Sequence, residues 1–405
     1  MISDFRFQIS DFRYFRFQIF GFAICWLFGF LARSRLRLRT RIMLDKQNHD
    51  AESGAPAKGS QSKTPNPKSK MLAPLAAAFG LGVALRGGAY RRGWLKTRRL
   101  NRPVVSVGNL TLGGTGKTPL VEFLTKCLLK RGRKPAILTR GYGRREGAAV
   151  IALKPGPGRV ADPREVGDEP ALLARALPEA AIIVGADRYQ AGRLAEERFD
   201  VDVHVLDDGF QHLALARDLD VVVLDTTQPL SGLLPAGRQR EPCSALERAD
   251  LVVLTRVELG DPGPLEELVE RINPRARVFH SSTELCRLIE VTSGRTYPSG
   301  AFQGERIHAF CGIGNPKAFF AGLRRWGFAV AAETAFRDHH VYSGEDVKKL
   351  LTRFEESKAA ALVTTEKDAM NLPPMPKLDR PVVACAIQIK LNGEEAFEEA
   401  LLEGL

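Results

Sequence analysis

Short apolar, β-branched runs recur along the chain, and most of them close on polar or glycine-rich turns. They are Pro103–Val107, "KPAILTRGYG" (134–143), "AAIIVG" (180–185), "VDVHVLDDGFQH" (201–212), "LDVVVLD" (219–225) and "ADLVVLTRVE" (249–258). Helical spacing fills several of the gaps. Over Pro119–Arg131 it places Leu120, Phe123, Leu124, Cys127 and Leu128 on one face, and Glu169–Leu177 and Arg188–Glu197 are similar. Strand alternating with helix predicts a mostly parallel sheet with helices on both faces. Ligands in such sheets bind beyond the carboxyl ends of the strands. A turn-rich stretch, "TSGRTYPSGAFQG" (292–304), predicts a hinge near 285–305. Beyond it "RIHAFC", "FAVAAETAF" (328–336), "AAALVTTEKDAMNL" (359–372) and "PVVACAIQIKL" (381–391) read as strands. With helices at Lys317–Trp326 and 344–356 they predict a second, smaller α/β unit.

The first hundred residues follow another pattern. "ISDFRFQ" (2–8) is echoed by "ISDFRYF" (9–15), and "FGFAICWLFGFLA" (20–32) is an apolar stretch followed by Arg-rich sequence. At thirteen residues it is short for a spanning helix and resembles a signal-type or interfacial segment. Residues 45–70 are polar and disorder-like. Residues 1–70 are therefore expected to be a disordered extension or a misassigned start, with Met43 and Met71 as alternative starts. Residues 71–85 are apolar and small, and 86–100 are rich in Arg and Lys. Fifteen residues reach only about 22 Å as a helix, short of a bilayer core of about 30 Å. A membrane-associating amphipathic or anchor helix with a cationic collar is expected over 71–100, lying in the membrane plane or shallowly inserted. The remaining boundaries fall at 101–295 for the main domain and 296–405 for the smaller one.

Charge sharpens this division. Residues 1–100 hold 19 of the 59 Lys/Arg and 5 of the 47 Asp/Glu, leaving 40 and 42 for the rest. The +12 net charge is thus an N-terminal property, which favours a membrane surface over nucleic acid. No interleaving of aromatic and basic residues in the body suggests a nucleic-acid platform. No obligate protein partner is evident either. The six cysteines are scattered without metal-ligand spacing and read as reduced thiols.

The chemistry begins at "SVGNLTLGGTGKTPLVEFL" (106–124), where strand, glycine loop, Lys-Thr and helix follow one another. These are the parts of a phosphate-binding loop, Thr111, Leu112, Gly113, Gly114, Thr115, Gly116, Lys117 and Thr118. The fold class is accordingly an α/β P-loop NTPase (RecA-like). Threonine stands at 111 where the usual pattern has glycine. Lys117 would reach the β/γ-phosphates and Thr118 would hold Mg²⁺. Asp207 and Asp208 end an apolar strand and can hold the same ion, or serve only as turn and capping residues. Asp168 in "VGDEP" opens a helix, as a site residue or simply an N-cap. Arg238, Arg240 and Glu241 lie in "LPAGRQREP" (234–242), suited to gripping an anion, and Arg140 and Tyr142 lie in the turn after a strand.

The ordered set "GNLTLGGTGKTP", "RGYGR", "GDEP", "DDGFQH", "LPAGRQREP", "FCGIGNP", "FRDHHVY" and "TTEKDAMNL" resembles the tetraacyldisaccharide 4′-kinases of the lipid A pathway, over about residues 72–390. The family's loop resembles "TLGGTGKT", which accounts for Thr111. The resemblance implies ATP- and Mg²⁺-dependent phosphorylation of the 4′-hydroxyl of a tetraacylated glucosamine disaccharide 1-phosphate, giving lipid IVA. It also implies an enzyme peripheral to, or anchored at, the cytoplasmic face of the bacterial inner membrane, with an acylated disaccharide lipid as its partner in catalysis. On this basis the metal set is expected to comprise Thr118, Asp207, Asp208 and Glu241. Arg140, Tyr142, Arg238 and Arg240 would serve substrate or nucleotide phosphates.

A base must sit near the hydroxyl proton. Asp168 is the expected base, paired with a histidine of "FRDHHVY": His339 first, His340 next. If these residues lie on different domains, closure would assemble the site. The competing reading is a membrane-associated nucleotide switch of the targeting or metal-delivery type. Such switches read guanine with Asn-Lys-x-Asp, and here Thr255-Arg256-Val257-Glu258 stands in the comparable place.

Overall fold

The apolar runs become the strands of one sheet. The computed structural model describes residues 67–141, 150–156, 161–375 and 378–405; the expected features in 1–66, and Tyr142, lie outside the described residues. Ala73–Leu405 form one compact unit. The elements run α1 (Pro67–Arg91), β1 (Val104–Asn109), α2 (Lys117–Lys130), β2 (Pro135–Thr139), β3 (Ile151–Leu153), α3 (Pro163–Val166), α4 (Asp168–Ala176), β4 (Ala181–Val184), α5 (Arg188–Arg198) and β5 (Val203–Asp207). Next come β6 (Leu219–Asp225), β7 (Leu251–Thr255), α6 (Gly263–Ile272), β8 (Arg277–Glu290), β9 (Thr296–Pro298) and β10 (Arg306–Cys311). The chain closes with α7 (Pro316–Arg325), β11 (Ala329–Ala335), α8 (Gly344–Ser357), β12 (Ala361–Thr365), α9 (Glu366–Ala369), β13 (Val382–Leu391) and α10 (Glu394–Glu403).

Strand order among the described residues is β11-β10-β12-β13-β8-β7-β6-β1-β5-β2-β4-β3, with β9 on β8. From β8 to β4 every neighbouring pair is parallel. The carboxyl ends of β1, β2, β5, β6 and β7 therefore share one edge, where Asn109, Thr139, Asp207, Asp225 and Thr255 lie. Most of these strands are buried throughout, so they read as continuous apolar runs rather than as alternation.

Sequence reading missed β8, a fourteen-residue strand of mixed burial. Its first residues pair in parallel with β7, from Leu251↔Arg277 to Thr255↔Ser281. From Ser281 onward it pairs antiparallel with β13, from Leu391↔Ser281 to Val383↔Glu290. Where the expected hinge begins, β8 therefore runs on through 285–290, with a register shift at Cys286, and pairs with β9 beyond it. Strands from both sides of residue 295 belong to one sheet.

Helix α1 differs from expectation in length. Among the described residues, Met71–Arg91 is long and apolar enough to cross a membrane by length and composition, and 6% of its apolar window is buried. Twenty-one helical residues reach about 31 Å. Arg86 directly follows the apolar stretch 71–85. It turns toward the body, donating to the Gln211 carbonyl at 3.2 Å, and Gly87-Gly88-Ala89 carry the helix onward. Leu75, Leu81 and Leu85 remain exposed.

At the C-terminus, α10 closes the core. Phe397 is fully buried, with ring centroids 5.9 Å from Phe123 of α2 and 5.2 Å from Phe279 of β8. Beside it Glu398 accepts from Arg131 at 2.7 Å. Phe397→Ala should cost about 3–5 kcal/mol of unfolding free energy, the usual cost of an aromatic-sized cavity. Urea denaturation followed by fluorescence measures it, and a loss below about 1 kcal/mol would show that α10 adds little to the core.

Candidate active site

The phosphate loop leaves β1 and turns into α2 through Gly116, whose φ of 92° suits glycine and which offers α2 no side-chain cap. The first amides of α2 therefore lack a side-chain acceptor, and an anion can take that place. This feature, with Lys117 and Thr118 in the first turn, fits a nucleotide phosphate. Asn109 organises the loop from beneath, donating to the Thr111 carbonyl at 2.7 Å and to Thr115 Oγ1 at 2.9 Å. Thr255 donates to the Thr115 carbonyl at 2.8 Å.

The loop 234–242 lies along the other side. Leu112 N donates to the Arg238 carbonyl at 2.8 Å and Arg240 N to the Leu110 carbonyl at 2.7 Å, with Thr111 bridged to Gln239. Thr111 is buried in this bridge and has no positive φ, so its backbone does not require the glycine that is usual there. "GIGNP" closes from above. A Cβ on Gly314 would lie 2.1 Å from Gly114 N, so the backbones touch and only glycine fits. Arg238 spans this contact, reaching the Leu112 carbonyl at 3.2 Å and the Gly314 carbonyl at 3.4 Å.

Lys117 and Asp208 are brought together. Lys117 Nζ is 3.2 Å from Asn109 Oδ1 and 3.5 Å from Asp208 Oδ1. Arg240 Nη1 donates to both oxygens of Asp208, at 2.7 and 2.9 Å. Burial works to raise Asp208, but the Arg240 and Lys117 charges outweigh it and hold the carboxyl well below its usual range. Asp207 has the opposite environment. It is buried, with Thr139 as hydrogen-bond donor at 2.9 Å, and burial plus the charges of Glu169 and Asp208 push it up to about 7.

Glu241 does not join these carboxylates through any described contact. Its Oε2 receives Arg248 at 2.6 Å, and Arg248 lies over the Phe210 ring. Glu241 is thus engaged in a partly buried ion pair, apart from Thr118, Asp207 and Asp208, the other Mg²⁺ donors expected from sequence. Arg140 follows β2, half-buried.

The second cluster joins residues far apart in sequence. Asp168 is the first residue of α4, buried, and its Oδ1 accepts from Glu169 N at 2.9 Å. Its Oδ2 meets His339 Nδ1 at 2.9 Å. His339 adopts φ 55°, unusual for a non-glycine residue, and its amide is held by the Gly312 carbonyl at 3.0 Å and Asp338 Oδ1 at 3.1 Å. Burial works to raise Asp168, but the His339 hydrogen bond and the Lys367 charge outweigh it and bring it down to about 2. Burial works to lower His339, and the bond to Asp168 turns the net direction upward.

His340 goes elsewhere. It stacks on Phe336 at 4.7 Å and pairs with Asp346 at 3.2 Å, bracing the start of α8. The adjacent histidines thus separate, and only His339 reaches Asp168.

Two groups escaped sequence reading. Lys367, at the start of α9, lies 3.1 Å from Glu169, 3.3 Å from His339 Nε2 and 3.7 Å from Asp168. Asp225, at the end of β6, receives Asn315 of "GIGNP" at 3.1 Å and pairs with Arg256. For Asp225 the available signal was a carboxylate ending an apolar strand, the same signal that picked out Asp207.

A family model described as tetraacyldisaccharide-1-P 4′-kinase matches residues 68–405. A relative from Geobacter metallireducens named tetraacyldisaccharide 4′-kinase is 41% identical over 335 residues, covering 82% of this chain and 96% of its own. One of the same name from Koribacter versatilis is 41% identical over 337 residues, covering 82% and 97%. The crystal structure of LpxK from Aquifex aeolicus in complex with ATP is 31% identical, with a TM-score of 0.66, covering 83% of this chain and 99% of that one.

The raised Asp207 makes a test. A carboxyl whose folded value exceeds its unfolded one imposes no cost below about pH 4. Its cost grows until about pH 7, because the unfolded state ionises first. Asp207→Asn should therefore raise the melting temperature of nucleotide-free protein at about pH 8 and change it little at about pH 4. An equal effect at both would mean that the carboxyl is not held protonated.

Proposed function

Because this chain belongs to the tetraacyldisaccharide-1-P 4′-kinase family, we propose that its active site lies between the phosphate loop and the Asp168–His339 pair. The protein is an ATP-dependent kinase that phosphorylates the 4′-hydroxyl of a lipid A precursor. Family membership decides against the nucleotide-switch alternative. The observation that carries the site assignment is the 2.9 Å contact between Asp168 and His339, on the same side of the fold as Asp207 through Glu169.

ATP would supply the phosphoryl group, with Mg²⁺ neutralising its oxygens. Gly113–Lys117 amides would cradle the phosphates, and Lys117 would leave Asp208 for them. Thr118, with Asp207 or Asp208, would hold the cation. Arg238 and Arg240 stand at the rim for further phosphate charge, and Arg140 and Tyr142 belong to the same proposed substrate set. Asp168 would take the proton of the attacking hydroxyl, with His339 fixing its orientation. Residues 101–295 and 296–405 are proposed as the two parts of the one sheet that together line the reactants' site.

The exposed apolar face of α1 is one candidate for membrane association. Arg91, Arg92, Lys96 and Arg98 follow it, a collar suited to anionic headgroups. We assign the protein to the cytoplasmic face of the inner membrane on this basis, acting on a tetraacylated disaccharide 1-phosphate.

Lys117→Ala should abolish transfer, because the positive charge facing the developing phosphate charge is lost. The assay is label transfer from γ-labelled ATP to tetraacyldisaccharide 1-phosphate in detergent. Near-normal turnover by that variant would remove the phosphate loop from the mechanism.

A further inference from the structure

Lys367 sits at the centre of the base cluster. Its side chain is 17% exposed, and its Nζ lies among Glu169 Oε1 at 3.1 Å, His339 Nε2 at 3.3 Å and Asp168 Oδ2 at 3.7 Å. An ammonium carries three donors and no acceptor, so toward an imidazole nitrogen it can only donate. Nε2 must then present its lone pair, and the ring's single proton resides on Nδ1, facing Asp168 Oδ2 at 2.9 Å.

The scaffold holds this geometry in common for both residues. Asp368, next in sequence to Lys367, accepts from Gly312 N at 2.8 Å and from Tyr342 Oη at 2.8 Å, and Thr365 donates to it at 2.6 Å. The Gly312 carbonyl in turn accepts from His339 N. One buried carboxylate thereby ties the turn that carries Lys367 to the loop that carries His339. An ion pair serving only to dock α9 on α4 needs Glu169 alone. The approach to Nε2 is an additional feature.

We propose that Lys367 is a positioning residue for the Asp168–His339 pair: its ammonium confines the imidazole proton to Nδ1, so that His339 donates to Asp168 and leaves it an ionised acceptor. This rests on the assignment of Asp168 as the base. The Lys367 charge thus works against the imidazolium that the bond to Asp168 favours, without reversing it. Among the described residues, the other charges facing the cluster include Glu169 from α4, Asp338 from the loop before α8, and Asp368 on α9 itself. All three are acidic. Lys367 sets a cation against them. Glu366, on the same turn, faces Arg175 and Arg287 instead.

The test compares Lys367→Met, Lys367→Arg and Asp168→Asn in the full chain, measuring kcat, the KM for each substrate and the pH profile from about pH 5 to 9. Removing a positive charge raises the pKa of a carboxyl and of an imidazole alike. Lys367→Met should lower kcat about tenfold or more and move the acidic limb of the profile about one pH unit upward, with the KM for ATP unchanged. Lys367→Arg should restore much of the limb's position. Activity lost with an unmoved limb, or a loss confined to the KM for the lipid, would overturn the proposal and make Lys367 a scaffold or phosphate-gripping residue. Near-normal turnover by Asp168→Asn would instead overturn the base assignment beneath it.

Discussion

Strand β8 pairs with β7 through its first residues and with β13 through the rest, so one strand belongs to two differently directed parts of the sheet. The second α/β unit therefore cannot pack independently of the first. β13 must run alongside β8, and the parallel strands β12, β10 and β11 are stacked outward from it. This directs the carboxyl ends of β10 and β12, with "GIGNP", the 336–342 loop and α9, toward the phosphate loop and α4. The touching backbones of Gly314 and Gly114 and the bond between Asp168 and His339 both follow from that placement.

Environment divides the carboxylates of the site. Asp168 and Asp208 each have cationic neighbours, and both are held low. Asp207 is enclosed beside two other acidic side chains and is held up near 7. Titratable groups pushed apart in this way are a usual mark of divided roles in an active site. The low value of Asp168 means that it is already ionised at working pH. As the proposed base it then depends on position and on the charge beside it rather than on intrinsic proton affinity.

The sheet was legible in the sequence where strands are buried on both faces, since Val203–Asp207, Leu219–Asp225 and Leu251–Thr255 carry little but apolar residues. β8 was not legible, because a half-exposed strand containing Ser281, Ser282, Glu284 and Arg287 shows no clean period. The phosphate loop was legible because its backbone demands glycine at fixed places. Asp168 and His339 could be named from their motifs, but their contact could not be derived, being a tertiary pairing across 171 positions. His340 stood only one place behind its neighbour in the sequence reading, and the aromatic stack around it is what separates the two. Glu241 looked like a ligand because its partner Arg248 follows seven residues later, outside the motif. Lys367 stood inside the quoted run "TTEKDAMNL" but was not set apart from its neighbours there, since a lysine at a helix start is ordinarily solvated.

The central claim is that Asp168 and His339 act as one unit in proton abstraction. A double-mutant cycle on kcat, at saturating ATP and lipid, tests it most directly. Asp168→Ala and His339→Ala should each lower kcat by about 10²–10⁴, and the double variant should be little worse than the more damaging single one. Losses that multiply in full would show that the two residues act separately, and the contact at 2.9 Å would then be structural.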